Sequence, residues 1–193
     1  MTEEDTITKF NNRNFLYIED LIEDYQCNRL TDKFSRIIKN NETENDDMCP
    51  SSYSIYGHRI FDDLLEQLKP KIEKIIGEKV FPTYSYARWY LNGESLFKHQ
   101  DRESCEISLT LTLDYEGEPW PFYVADIENN VEKNTQALNI DKGCAVLYKG
   151  MEKLHWRDAY QGHRQVQVFL HYVKQNGEFA DWKFDKREKL SHH

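Results

Sequence analysis

The sequence predicts a mainly β domain with α-helical support: a double-stranded β-helix (jelly-roll) core backed by N-terminal helices. Three observations carry that expectation. Ile107, Leu109, Leu111 and Leu113 alternate with Ser108, Thr110 and Thr112, giving one apolar and one hydroxyl-bearing face, as in a barrel wall around a polar cavity. Short runs of this kind, separated by turn residues, recur from Tyr84 to Val173, the rhythm of a jelly-roll. Before residue 80 the apolar spacing changes to three and four, which marks amphipathic helices in need of a surface to cover.

The elements follow in order. Ile18, Leu21, Ile22, Tyr25, Leu30, Phe34, Ile37 and Ile38 recur at helical spacing and predict one helix or two. The acidic, polar run from Asn40 to Asp47 reads as a loop. Ile60, Phe61, Leu64, Leu65, Leu68, Ile72, Ile75 and Ile76 predict a second helical stretch, with Pro70 as a kink or a new start and Gly77 as its C-terminal stop. Strands are expected at Tyr84 to Tyr90, ended by Asn92-Gly93, then at Ile107 to Leu113, Trp120 to Ala125 and Thr135 to Ile140. Asp141-Lys142-Gly143 is a turn into Cys144 to Tyr148, and Gln165 to Val173 is a strong final strand. The result is a single domain over 1–193, with a helical buttress at about 15–78, a core at about 80–174 and a polar tail at 176–193. His192 and His193 are left out of any site.

Composition narrows the function classes. A net charge of −9 argues against a nucleic-acid backbone as the main partner, because phosphate binding is carried by Lys and Arg clusters. No run of about twenty apolar residues offers a membrane span. The acidic start MTEEDTITKFNNRN has no apolar stretch of the signal-peptide kind. Cys27, Cys49, Cys105 and Cys144 have no Cys-x-x-Cys spacing and read as free thiols of a cytoplasmic protein, Cys105 and Cys144 as buried strand residues.

The chemistry concentrates at His99-Gln100-Asp101. In a strand, side chains two apart leave on one face, so His99 and Asp101 can turn toward one point. Together they supply two thirds of the two-His, one-carboxylate triad that holds non-haem Fe(II) with positions left open. About one His-x-Asp/Glu is expected by chance in such a composition, so the neighbours decide its weight. His155 is the candidate third ligand; His163 competes, but no Arg follows it at a comparable distance. Arg164 opens the last strand. Buried at a cavity floor it would need a partner, and a dicarboxylate co-substrate fits the guanidinium fork.

With His99-x-Asp101, His155 and Arg164 in that order, the stretch from Phe81 to Val173 resembles the Fe(II)/2-oxoglutarate dioxygenase superfamily, and within it the prolyl 4-hydroxylase-like branch. The resemblance implies His99, Asp101 and His155 as iron ligands and Arg164 as the grip on the distal carboxylate of 2-oxoglutarate. It further implies Tyr90, Thr110 and Thr112 as co-substrate contacts. Collagen-type enzymes usually carry Lys at the Arg164 position, which turns the likeness toward oxygen-sensing, bacterial and viral relatives.

The cofactors implied are Fe(II), 2-oxoglutarate and O2, with ascorbate as a reductant. The reaction implied is hydroxylation of an unactivated C–H bond, coupled to decarboxylation of 2-oxoglutarate to succinate and carbon dioxide. Asp101 stands where related halogenases lose the carboxylate, so hydroxylation is the default. The target would be a peptidyl proline or an amino-acid-like small molecule. The alternatives are a catalytically silent metal- and 2-oxoglutarate-binding sensor and an interaction protein with an incidental His pair. Arg102, Trp156 and Arg157 flank the ligands and are candidates for substrate contact at the cavity mouth, with a solvated or salt-bridged role open to the two arginines. Loops at 38–57 and 126–134 are expected to frame that mouth.

Overall fold

The computed structural model describes residues 2–44 and 46–191; His192 and His193 lie outside them. Two antiparallel sheets face each other. The larger has the order β1-β8-β5-β10-β3-β2, with β1 at Phe15–Ile18, β2 at Tyr53–Tyr56, β3 at Val80–Leu91, β5 at Ile107–Glu116, β8 at Ala145–Tyr148 and β10 at Arg164–Lys174. The smaller is β4-β9-β6-β7, built from Leu96–His99, Leu154–Arg157, Phe122–Glu128 and Val131–Leu138. This is the jelly-roll expected.

Helices α1 (Glu3–Arg13), α2 (Asp24–Lys39) and α3 (Arg59–Ile76) cover the outer face of the larger sheet. Their apolar stripes meet Ala87, Leu109, Leu111, Val166, Val168 and Leu170 in one core, so the greasy alternation of β5 and β10 is satisfied by the buttress. Pro70 sits inside α3 without ending it, and Gly77 closes the helix at φ +75°, donating its N–H to the Glu73 carbonyl at 2.9 Å. The buttress starts earlier than expected, at α1. That helix is capped by a reciprocal Thr2–Asp5 box and buries only Phe10, so it shows little apolar period. Part of the stretch read as helix, at Ile18, closes β1 instead.

The opposite faces of the two sheets enclose the interior. From the larger sheet, Ser108, Thr110 and Thr112 of β5 stand beside His171, Phe169 and Gln167 of β10, and Phe169 and Gln167 in turn beside Tyr86 and Arg88 of β3. From the smaller sheet come His155, Arg157, Phe122 and Val124. Phe122 and Val124 pack with Val146 and Tyr148 of β8, closing one end of the sandwich with an apolar plug. Cys144 precedes β8, and Cys105 lies in a short 3-10 turn at Glu103–Cys105; both are buried and all four cysteines are free.

Candidate metal centre and its cavity

His99 ends β4 and His155 sits directly opposite it in β9, paired in register. Their ring centroids are 4.2 Å apart. Asp101 follows β4, its N–H donated to the Gly150 carbonyl at 2.9 Å. Its Oδ1 lies 3.6 Å from His99 Nε2 and 3.4 Å from His155 Nε2. The ligand atoms of the three residues fall within 4.8 Å of one another.

Both imidazoles are held by their other nitrogen. His99 Nδ1 is 2.8 Å from the Phe97 carbonyl and His155 Nδ1 is 3.0 Å from the Lys153 carbonyl. A carbonyl can only accept, so each Nδ1 carries a proton, and Nε2 is the ring atom turned toward the carboxylate. Two imidazole nitrogens and a carboxylate oxygen facing one another are a donor set for a divalent cation. The site therefore fits a metal.

Asp101 is fixed from behind. Ser108 Oγ donates to its Oδ2 at 2.7 Å, and His171 Nδ1 lies 2.9 Å from the same Oγ. The single hydroxyl proton is committed to Asp101, so His171 supplies its own N–H to Ser108. Burial pulls His171 down to about 4 and keeps it neutral. Burial pushes Asp101 upward, but His155 and His99 beside it together outweigh that and hold the carboxyl well below the usual range. For His99, burial pulls downward, and the Asp101 carboxylate and the Phe97 carbonyl together raise it more. Gly150 backs the group: a methyl there would overlap Asp101 Oδ2 and the Cys105 carbonyl.

The cavity holding this triad is lined also by Met48, Tyr86, Arg88, Leu96, Tyr148, Phe169 and His171. Arg88 and Asp46 form a buried ion pair, and Tyr86 donates to the same Asp46 oxygen at 2.5 Å. Arg88 Nη1 donates to Tyr90 Oη at 2.8 Å. Sequence reading missed Arg88 and Asp46. The signal for Arg88 was its parity with Tyr86 and Tyr90; nothing local marks Asp46 in its acidic loop.

The other expected residues divide. Tyr90, Thr110 and Thr112 are buried on the interior face, where Gln167 bonds both threonines. Arg164 is not at the cavity floor. It shares the face of Val166, Val168 and Leu170, so its side chain leaves on the helix side, over Trp89, and pairs with Asp114 at 2.6 Å and Glu116 at 3.3 Å. The register slip between Val166 and Gln167 re-aims Asp114 and Glu116 to that same face. Gln165 holds the inward position beside it, buried.

Arg102, next to Asp101, takes the salt-bridged alternative: Nη1 and Nη2 each reach Asp185 at 2.8 Å. Trp156 is on the outer face of its sheet, stacked on Tyr123 at 5.1 Å under Lys98, and does not reach the mouth. Arg157 is inside the sandwich instead of at the mouth, 1% exposed. Its Nη1 donates to the Trp120 carbonyl, while Nε and Nη2 have no hydrogen-bond partner among the described residues. His163 is exposed and away from the triad.

Solved structures share this architecture. A Pseudomonas putida prolyl-4-hydroxylase superposes with a TM-score of 0.70 at 12% identity, over 90% of this chain and 99% of that one. The fold is that of the 2-oxoglutarate/Fe(II) oxygenases. HygX from Streptomyces hygroscopicus, solved with nickel and 2-oxoglutarate, gives 0.70 at 11% identity, over 91% and 88% of the two chains. A Trichoplax adhaerens prolyl hydroxylase in complex with a hypoxia-inducible-factor peptide fragment gives 0.69 at 11%, over 90% and 89%. No protein-family model and no curated protein sequence matches the chain.

Proposed function

We propose that this protein is an Fe(II)- and 2-oxoglutarate-dependent dioxygenase that hydroxylates an unactivated C–H bond. The observation that carries this reading is the convergence of two imidazole Nε2 atoms on one oxygen of Asp101, with both Nδ1 atoms tied to backbone carbonyls. His99, Asp101 and His155 would hold the metal, a donor set that suits ferrous iron and leaves coordination positions open. When bound, iron with 2-oxoglutarate and dioxygen supplies the oxidation, and the co-substrate leaves as succinate and carbon dioxide.

The chain contributes position and shelter. The Phe97 and Lys153 carbonyls fix the rings, Ser108 fixes the acid, and Leu96, Met48 and Phe169 give the cavity apolar walls. A prolyl or amino-acid-like target is the finer part of the proposal. Its support is the likeness to one prolyl-4-hydroxylase and to a second hydroxylase that binds a peptide.

The test is anaerobic addition of Fe(II) and then 2-oxoglutarate to the metal-free protein. A weak visible charge-transfer band should form in the wild type and be lost in His155→Ala and Asp101→Ala. Admitting air should release succinate. A band without succinate, with or without proline peptides, would instead favour a binding or sensor role; no band at all would end the iron reading.

A further inference from the structure

Among the described residues, Arg88 and Arg157 bring guanidinium groups between the sheets, and only that of Arg88 is paired with an anion. Arg88 is already paired with Asp46. Arg157 is as deeply enclosed, yet among the described residues no carboxylate pairs with it; its contacts are the Trp120 carbonyl and the rings of Trp120 and Phe122, 4.8 and 5.4 Å from its Cζ. A buried unpaired cation costs several kcal/mol, and a fold keeps one only with a reason.

The two unpartnered nitrogens are not a random pair. Nε and Nη2 share one edge of the guanidinium, the side-on fork that takes a carboxylate through two parallel N–H···O bonds. Nη1, on the other side, is occupied by the Trp120 carbonyl. Arg157 is two residues from His155 in β9, so both leave the same face. Tyr90 and Tyr148 are within electrostatic reach of its charge, and Tyr148 also lines the triad's cavity. Arg157 thus faces the same interior as the metal ligands, with Tyr148 common to its surroundings and to the triad's cavity.

We propose that Arg157, in place of Arg164, takes the distal carboxylate of a dicarboxylic 2-oxo acid whose other end lies at the triad. The inference rests on the reading that a 2-oxo acid binds there. Tyr90, whose oxygen accepts from Arg88 and whose proton is left to donate, is placed to share that carboxylate. Arg164, held outside by Asp114 and Glu116, has no part in it.

The test is calorimetric titration of the anaerobic Fe(II)-loaded protein with 2-oxoglutarate and with 2-oxopentanoate, which has the same chain length without the distal carboxylate. The wild type should prefer 2-oxoglutarate. Arg157→Met should weaken 2-oxoglutarate by about thirtyfold or more, the loss expected when one partner of a buried charge pair is removed, and leave 2-oxopentanoate and Fe(II) affinity unchanged. The metal-free variant should melt no lower than the wild type, since a neutral chain removes an unpaired charge. Arg157→Lys keeps the charge without the fork and should fall between the two. Arg164→Met should bind as the wild type does. Unchanged 2-oxoglutarate binding in Arg157→Met and Arg157→Lys, or a selective loss in Arg164→Met, would overturn this inference while leaving the iron reading intact. A wild type that binds neither acid would overturn both.

Discussion

Asp101 is the residue on which the site turns, and its position is over-determined. Its backbone N–H is donated to Gly150, Ser108 takes Oδ2, and both imidazoles face Oδ1. Ser108→Ala should therefore lower Fe(II) affinity by about tenfold, the usual cost of losing a partner behind a ligand, with the fold intact; a competition titration against a coloured chelator measures it, and an unchanged affinity contradicts the role. Gly150→Ala forces a methyl into the space of Asp101 Oδ2, so it should abolish metal binding outright, while circular dichroism still reports a folded chain. At this scale the sequence was readable where a strand period was enough. His99 and Asp101 sit two apart, and His155 answers them across one register pair. Spacing from His155 points Arg164 toward the site, but its parity with Val166, Val168 and Leu170 puts it on the apolar face that packs on the helices. Flanking a metal ligand in sequence does not say how deep a side chain lies, and Arg157 is buried between the sheets.

Among the elements, α3 and β3 carry the joint between buttress and barrel. Glu73, at the end of α3, accepts from Lys69, Lys79 and the Val80 N–H. Burial raises its carboxyl, but these donors outweigh it and bring it down to about 2. With the folded value below the ordinary 4.5, the unfolded chain binds more protons across that interval. The stabilisation is present above about 4.5 and is lost as pH falls toward 2. Glu73→Gln should cost about 2 kcal/mol at neutral pH, as for hydrogen bonds to a charged group, and the gap from the wild type should close as pH falls from 4.5 to 2. Melting curves across that range check it; a gap that widens in acid contradicts the sign. The long elements were legible because each shows several periods. Strands β2, β4 and β9 have four residues each, too few for alternation to appear, and they exist through pairing with distant partners.

At the scale of the molecule, the two sheets enclose an interior that is polar at the triad and apolar where Phe122, Val124, Val146 and Tyr148 pack. Two segments that sequence alone called polar fold over its rim. The acidic loop brings Asp46 to Arg88, and the kinked C-terminal segment at Ala180–Lys186 brings Asp185 to Arg102 and Tyr56. Neither contact is legible locally, since a charge has no period and its partner lies 42 residues away in one case and 83 in the other. The central claim is that one divalent metal is held by His99, Asp101 and His155 together. Anomalous diffraction at the manganese edge from crystals grown with Mn(II), used as a redox-inert substitute for Fe(II), and 2-oxoglutarate tests it most directly. The account predicts one peak per chain, bonded to His99 Nε2, Asp101 Oδ1 and His155 Nε2. A peak bound elsewhere, or at this site without one of those three residues, would contradict it.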